Sequence, residues 1–301
     1  MFKNLIVYRF SSGWNPSATT VEASLQEARF VECGASQDKS MGWIEPRGEA
    51  HGPLLEVVAN QWVLKLMTET RALPASVVKR KVDERVAQIE ASTGRKPGKK
   101  ETRDLKDDIR LELLPMAFTK QARTTVWVDR QAELVMIDAA SQARADDVVT
   151  LLVQRLPGLA LALVNTQVSP SVAMADWLVS QEAPSGFSVD RECELKAADE
   201  SKAVVRYTRH ALDTDEVRQH IEAGKMPTRL ALTWNDRVSF VLTEGQQLKK
   251  LAFLDVVLEG AKAGKDDGFD ADVAIATGEL QKLLPALLLA LGGESPLAQG
   301  V

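Results

Sequence analysis

The stretch ASVVKRKVDERVAQIEASTGRKPGKKETRDLKDDIRLELLPMAF, residues 75–118, decides how the chain is organised. Val77, Val78, Val82, Val86 and Ile89 recur at helical spacing behind Pro74, which predicts an amphipathic helix over 75–92. Gly94 ends it. A second helix starts near Lys100 and carries Leu105, Ile109, Leu113 and Met116 toward one side, with Pro115 kinking or ending it. Between the two, Gly94-Arg95-Lys96-Pro97-Gly98-Lys99-Lys100 holds too much glycine and proline to stay helical, so the pair reads as an αα-hairpin with a cationic apex. At 1.5 Å per residue each arm projects roughly 25 Å, enough to hold the apex away from a core as a finger.

Charge is distributed unevenly around this hairpin. Residues 65–106 contain twelve cations against six acids, a balance of +6, whereas the 301-residue chain carries −5. A basic module is therefore set on an acidic body, and such asymmetry points to a polyanionic partner.

Outward from the finger, the pattern alternates between strands and helices. Asn4 to Phe10 reads as a strand, Thr20 to Arg29 as a helix, and Leu54 to Leu66 as two short strands or one long bent one. Thr124 to Val128 with Leu134 to Ala139, and Arg229 to Thr233 with Val238 to Thr243, form two β-hairpins. Helices are expected over Ala145 to Arg155 and, behind a capping box made by Asp213 and Glu216, up to Ala223. A strand over Ala271 to Ala276 leads into a Leu-rich helix from Gly278 to Leu291. Antiparallel strands with separate helices place the chain in the α+β class.

Several kinds of chemistry lack their residues. Cys33 and Cys193 lie far apart without a pairing rhythm and read as buried thiols of a reducing compartment. His51, His210 and His220 do not fall at metal-ligand spacing, so no metal site is expected. No phosphate loop, dinucleotide fingerprint or nucleophile elbow occurs, and no enzymatic activity is expected. The nearest enzymatic pattern is Glu194-Leu195-Lys196, an E-x-K that serves metal-dependent nucleases when an Asp such as Asp176 or Asp190 completes it. The N-terminus lacks the apolar core of a signal peptide, and the run Leu283 to Leu291 falls short of the roughly 20 residues of a membrane span. The expectation is a cytoplasmic protein that does not enter membranes.

The residues with a positive chemical meaning are the apex cations Arg95, Lys96, Lys99, Lys100 and Arg103, and the segment Pro115-Met116-Ala117-Phe118-Thr119-Lys120-Gln121-Ala122-Arg123. Cations neutralise phosphates and release counterions whatever the base sequence. An aromatic among them can press against nucleic acid while they hold its backbone, although an aromatic such as Phe118 is more often a core residue than a wedge. A helical arm that docks another protein, its charges serving only solubility, is the competing reading.

Phe2-Lys3-Asn4-Leu5-Ile6-Val7-Tyr8-Arg9, Met41-Gly42-Trp43, Leu105-Lys106-Asp107, Leu114-Pro115-Met116-Ala117-Phe118, His220-Ile221-Glu222-Ala223-Gly224-Lys225 and Phe269-Asp270-Ala271-Asp272 resemble, in order, the signature stretches of the RdgC family of bacterial recombination-associated proteins. The resemblance implies a protomer with a centre region (1–74 and 118–170), a finger-like tip (75–117) and a base region (171–301). It further implies a ring-shaped homodimer that encircles duplex DNA without sequence preference, is nucleoid-associated, needs no cofactor, and limits access of the RecA recombinase. Carried over residue by residue, the tip cations fall on Arg95, Lys96 and Lys99, with Lys100 beside them. The aromatic falls on Phe118, near Lys120 and Arg123, and the hole-facing lysine on Lys225, near Arg229. Two departures stand out: Pro97-Gly98 where the family can carry more lysine, and His210 where an amide is expected.

Overall fold

The computed structural model describes residues 2–258 and 268–296. The elements are β1 (Ile6–Phe10), α1 (Ala18–Gln26), β2 (Lys39–Ile44), β3 (Leu55–Val58), β4 (Gln61–Ala72), α2 (Ala75–Thr93), α3 (Lys99–Leu113), β5 (Phe118–Asp129), β6 (Leu134–Ile137) and α4 (Gln142–Arg155). They continue with β7 (Leu161–Leu163), α5 (Pro170–Ser180), β8 (Phe187–Ala197), β9 (Val204–Thr208), α6 (Asp215–Glu222), β10 (Lys225–Trp234), β11 (Val238–Thr243), β12 (Leu248–Phe253), α7 (Asp255–Leu258) and α8 (Gly268–Ala290).

Among the described residues the strands form two antiparallel sheets, and with the separate helices the protein is α+β. The first runs β2-β4-β5-β6-β1-β7, with β3 also on β4, and the second runs β12-β11-β10-β8-β9. Leu5 and Leu248 exchange backbone hydrogen bonds of 2.8 and 3.0 Å and so tie one sheet to the other. β4 and β5 pair from Trp62–Val128 out to Ala72–Phe118 without a register shift. Such a ladder keeps a strict two-residue alternation of faces. On one face Leu64, Leu66, Val126 and Val128 pack with Val21 and Leu25 of α1 and Val148 and Leu152 of α4. On the other, Trp127 joins the cluster that contains Leu280, Leu283 and Leu287 of α8 and Leu230 and Leu232 of the second sheet. α8 thus belongs to the core that both sheets share.

Two sequence expectations are corrected here. Residues 271–276 are helical, part of a continuous α8, because Val273, Ala276, Leu280, Leu283 and Leu287 repeat at three- and four-residue steps and are buried together along one stripe. Gly278, read as a boundary, lies inside the helix at a position open to solvent, where glycine costs only about 1 kcal/mol relative to alanine. Asp213 and Glu216 form no capping box: Thr214 is the N-cap, and the Glu216 carboxylate accepts from the Tyr207 hydroxyl at 3.1 Å. α8 is long and apolar enough to cross a membrane by composition alone, but it contributes buried residues to the shared core. Cys33 and Cys193 are both buried thiols, and burial pushes Cys193 up to about 12.

Candidate nucleic-acid interface

α2 and α3 form the hairpin expected from the sequence. Val78, Val82 and Ile109 are buried against Leu73, Val86 and Leu113, a small core separate from those of the sheets. The chain reverses because Gly94 takes a left-handed φ of 71°, open to glycine without strain, while Gly98 is the extended N-cap of α3. After α3 a single 3-10 turn, Leu114–Met116, includes the Pro115 that ends the helix.

The apex presents Arg95, Lys96, Lys99 and Lys100 exposed to solvent. They are not equivalent. Arg95 forks onto Glu101 at 2.9 and 3.3 Å, which raises the guanidinium and lowers the carboxylate from their ordinary ranges. Among the described residues Lys96, Lys99 and Lys100 form no ion pair. Lower on the finger Arg80 and Lys81 reach Glu84, and Arg85 reaches Glu112, exposed pairs of small energetic weight.

At the finger's root, Phe118 opens β5 with its ring 87% exposed, and Met116 is 70% exposed. Phe118 is therefore no core aromatic. The ladder places Phe118 and Lys120 on the α1/α4 face of β5, whereas Arg123 shares the opposite face with Lys65. There, burial and then the charge of Arg123 hold the Lys65 ammonium below its ordinary range, and that ammonium donates to the Pro46 carbonyl. Lys65 could have been found from sequence by following the two-residue alternation of β4.

Lys225 and Arg229 lie on β10 of the second sheet. The Lys225 Nζ donates to Nδ1 of His220 at 2.9 Å, and Nε2 of the same ring lies 4.0 Å from Glu216. Arg229 is exposed opposite Glu194. The structure thus distributes the nine residues proposed from sequence over the apex, the β4–β5 ribbon and β10. It brings Phe118 and Lys120 together and separates Arg123 from both.

The E-x-K pattern has a different use. One Glu194 oxygen accepts from the Thr228 hydroxyl at 2.8 Å and the other from Arg206 Nε at 2.5 Å. Burial raises the carboxyl, yet these bonds and the nearby Arg229 charge outweigh it and hold Glu194 below its ordinary range. Asp190 accepts from the Thr233 hydroxyl at 2.9 Å, and Asp176 is exposed on α5. Among the described residues no cluster of three or more His, Cys, Asp or Glu side chains is arranged to hold a metal ion.

Comparison with known proteins covers almost the whole chain. A family model described as "Putative exonuclease, RdgC" matches residues 1–294. Proteins named "Recombination-associated protein RdgC" are similar throughout. The one from Dechloromonas aromatica (strain RCB) is 46% identical over 299 residues, 97% of this chain and 98% of that protein. The one from Cupriavidus pinatubonensis is 47% identical over 296 residues, and the one from Bordetella pertussis 43% over 298, each covering 97% of this chain and 98% of the relative.

Proposed function

This chain belongs to the RdgC family of recombination-associated proteins, and from that premise we propose that it binds duplex DNA without sequence preference and performs no catalysis. In this reading two copies close into a ring around the duplex through centre (1–74, 118–170), tip (75–117) and base (171–301) regions, and the ring limits the access of RecA recombinase. It acts in the cytoplasm on the nucleoid.

The observation that carries the proposal is the finger itself. A hairpin with its own small core holds Lys96, Lys99 and Lys100, without partners among the described residues, at the end of a lever of roughly 28 Å. Such point charges attract phosphate and cannot read base edges, which supplies affinity without selectivity. The non-catalytic part is supported by Glu194, whose two oxygens are already engaged by Thr228 and Arg206.

The test is an anisotropy titration of two unrelated duplexes at several salt concentrations, with Arg95, Lys96 and Lys99 together changed to Ala. The slope of log affinity against log salt should fall by roughly 0.9 for each lost contact, equally for both duplexes. A protein-docking arm predicts no change in that slope. Light scattering at micromolar concentration should show a dimer. Cleavage of labelled duplex with magnesium or manganese on a denaturing gel, abolished by Glu194→Gln, would replace this reading by a nuclease.

A further inference from the structure

The finger joins the body at two places, Ala72 to Pro74 on the way out and Leu114 to Ala117 on the way back, and its buried Val78, Val82 and Ile109 form a cluster with Leu73, Val86 and Leu113 apart from the cores of the sheets. The Arg71 side chain spans the joint. Arg71 Nη1 donates to the carbonyls of Leu114 at 3.2 Å, Ala117 at 3.3 Å and Pro115 at 3.5 Å, all in the turn that leaves the finger. Its Nη2 donates to the carbonyls of Cys33 and Gly34, each at 3.2 Å, in the body loop that precedes β2.

The two ends of this fork meet different kinds of anchorage. Carbonyls at a helix C-terminus lack intrahelical donors and carry the negative end of the helix dipole, so a cation there is favoured. The body loop, in turn, is held from beneath by Glu69, 2% exposed on the same strand. Its two oxygens accept from the Cys33 N–H and the Gln121 amide, each at 2.8 Å, bonds that hold the carboxylate below its ordinary range. β4, β5 and the loop therefore form a fixed seat, and Arg71 extends that seat to the finger. Among the described residues, the one ion pair from α3 to the body is the exposed Arg110–Asp38 contact at 3.2 Å.

We propose that Arg71 is the positioning residue that sets the angle of the finger to the sheet. A planar guanidinium donates in the two directions from two separate nitrogens held in one fork, whereas a lysine at the same position offers a single compact ammonium. A tilt of about 10° over a lever of roughly 28 Å moves the apex by about 5 Å, comparable with the spacing of neighbouring phosphates. The consequence for DNA rests on the proposed function, but the finger angle does not.

The test is therefore made on the whole protein without DNA. Spin labels at Lys96→Cys on the apex and Thr150→Cys on α4, diluted with unlabelled protein, report the apex-to-body distance within one protomer. The native sequence should give one narrow distance distribution. Arg71→Lys should shift or broaden it by about 5 Å while circular dichroism stays unchanged, and Arg110→Ala should leave it narrow. Arg71→Met, which fills similar space without the fork, serves if the lysine variant does not fold. An unchanged narrow distribution in whichever variant folds overturns the proposal. Unfolding of both overturns it too, because Arg71 would then be a residue of general stability. A shifted finger with unaltered duplex affinity would keep this inference and count against the DNA reading instead.

Discussion

Lys120 and Arg123 stand three residues apart on one strand and point to opposite faces of it. The unbroken β4–β5 register puts Lys120 with Phe118 on the side of Val126 and Val128, and Arg123 with Lys65 on the side of Trp127. A single duplex lying against Phe118 can reach only the first. Lys120→Ala should therefore lower duplex affinity and flatten the salt dependence by roughly 0.9 in slope, while Arg123→Ala leaves the slope unchanged. Anisotropy titrations of the two variants decide it, and equal losses would show that the ribbon does not engage DNA through the Phe118 face.

At the apex, Arg95 must release Glu101 before it can meet a phosphate. Arg95→Ala is expected to reduce the salt slope by less than Lys96→Ala or Lys99→Ala. Glu101→Gln should tighten binding by freeing the guanidinium. If Glu101→Gln binds no better than the parent at low salt, the pair has no influence on the interface.

Phe118 offers a separation of stability from function. With its ring 87% exposed, Phe118→Ala should change unfolding free energy by no more than about 0.5 kcal/mol, while weakening DNA binding. Urea unfolding followed by fluorescence measures the first quantity. A loss of roughly 3 to 5 kcal/mol, the range for a core aromatic, would contradict the exposed position.

Acid should loosen α8. Arg237, in the β10–β11 turn, forks onto Glu279 of α8 at 2.6 and 2.7 Å, and that bond holds the 6% exposed carboxyl below its ordinary range. An unfolded glutamate titrates near about 4.3. Because the folded value is lower, the contribution is complete above that pH and disappears as pH falls through the folded value. Urea midpoints measured from neutral to acid pH should fall more steeply for the native sequence than for Glu279→Gln. Parallel curves would rule out this pair as an acid-sensitive link.

The finger was legible in the sequence because every signal for it is local. Apolar residues at helical spacing, a glycine at the point of reversal, and cations on either side of Pro97 all act within a few residues of one another. The two hairpins were legible for the same reason. The start of α8 was not, since Ala271-Asp272-Val273-Ala274-Ile275-Ala276 alternates as a strand would and Gly278 mimics a boundary. The helix forms because its stripe from Val273 to Leu287 finds the core of two sheets. The Asp213 and Glu216 spacing fitted a cap, yet Glu216 binds Tyr207 of the neighbouring strand instead.

Spacing, composition and charge already carry the inventory: α+β class, a basic hairpin on an acidic chain, and the identity of the cations that can face a polyanion. Which of those cations are free depends on contacts made after folding. Glu101 takes Arg95, His220 receives Lys225, and the β4–β5 register turns Arg123 away from Lys120. Arg71, unremarked as sequence, became the joint between finger and body because Cys33 and Leu114 arrive on either side of it from distant parts of the chain. Local spacing governs backbone conformation through sterics and periodicity. The partner of a side chain is set by segments that meet only after folding, and no spacing rule encodes that meeting.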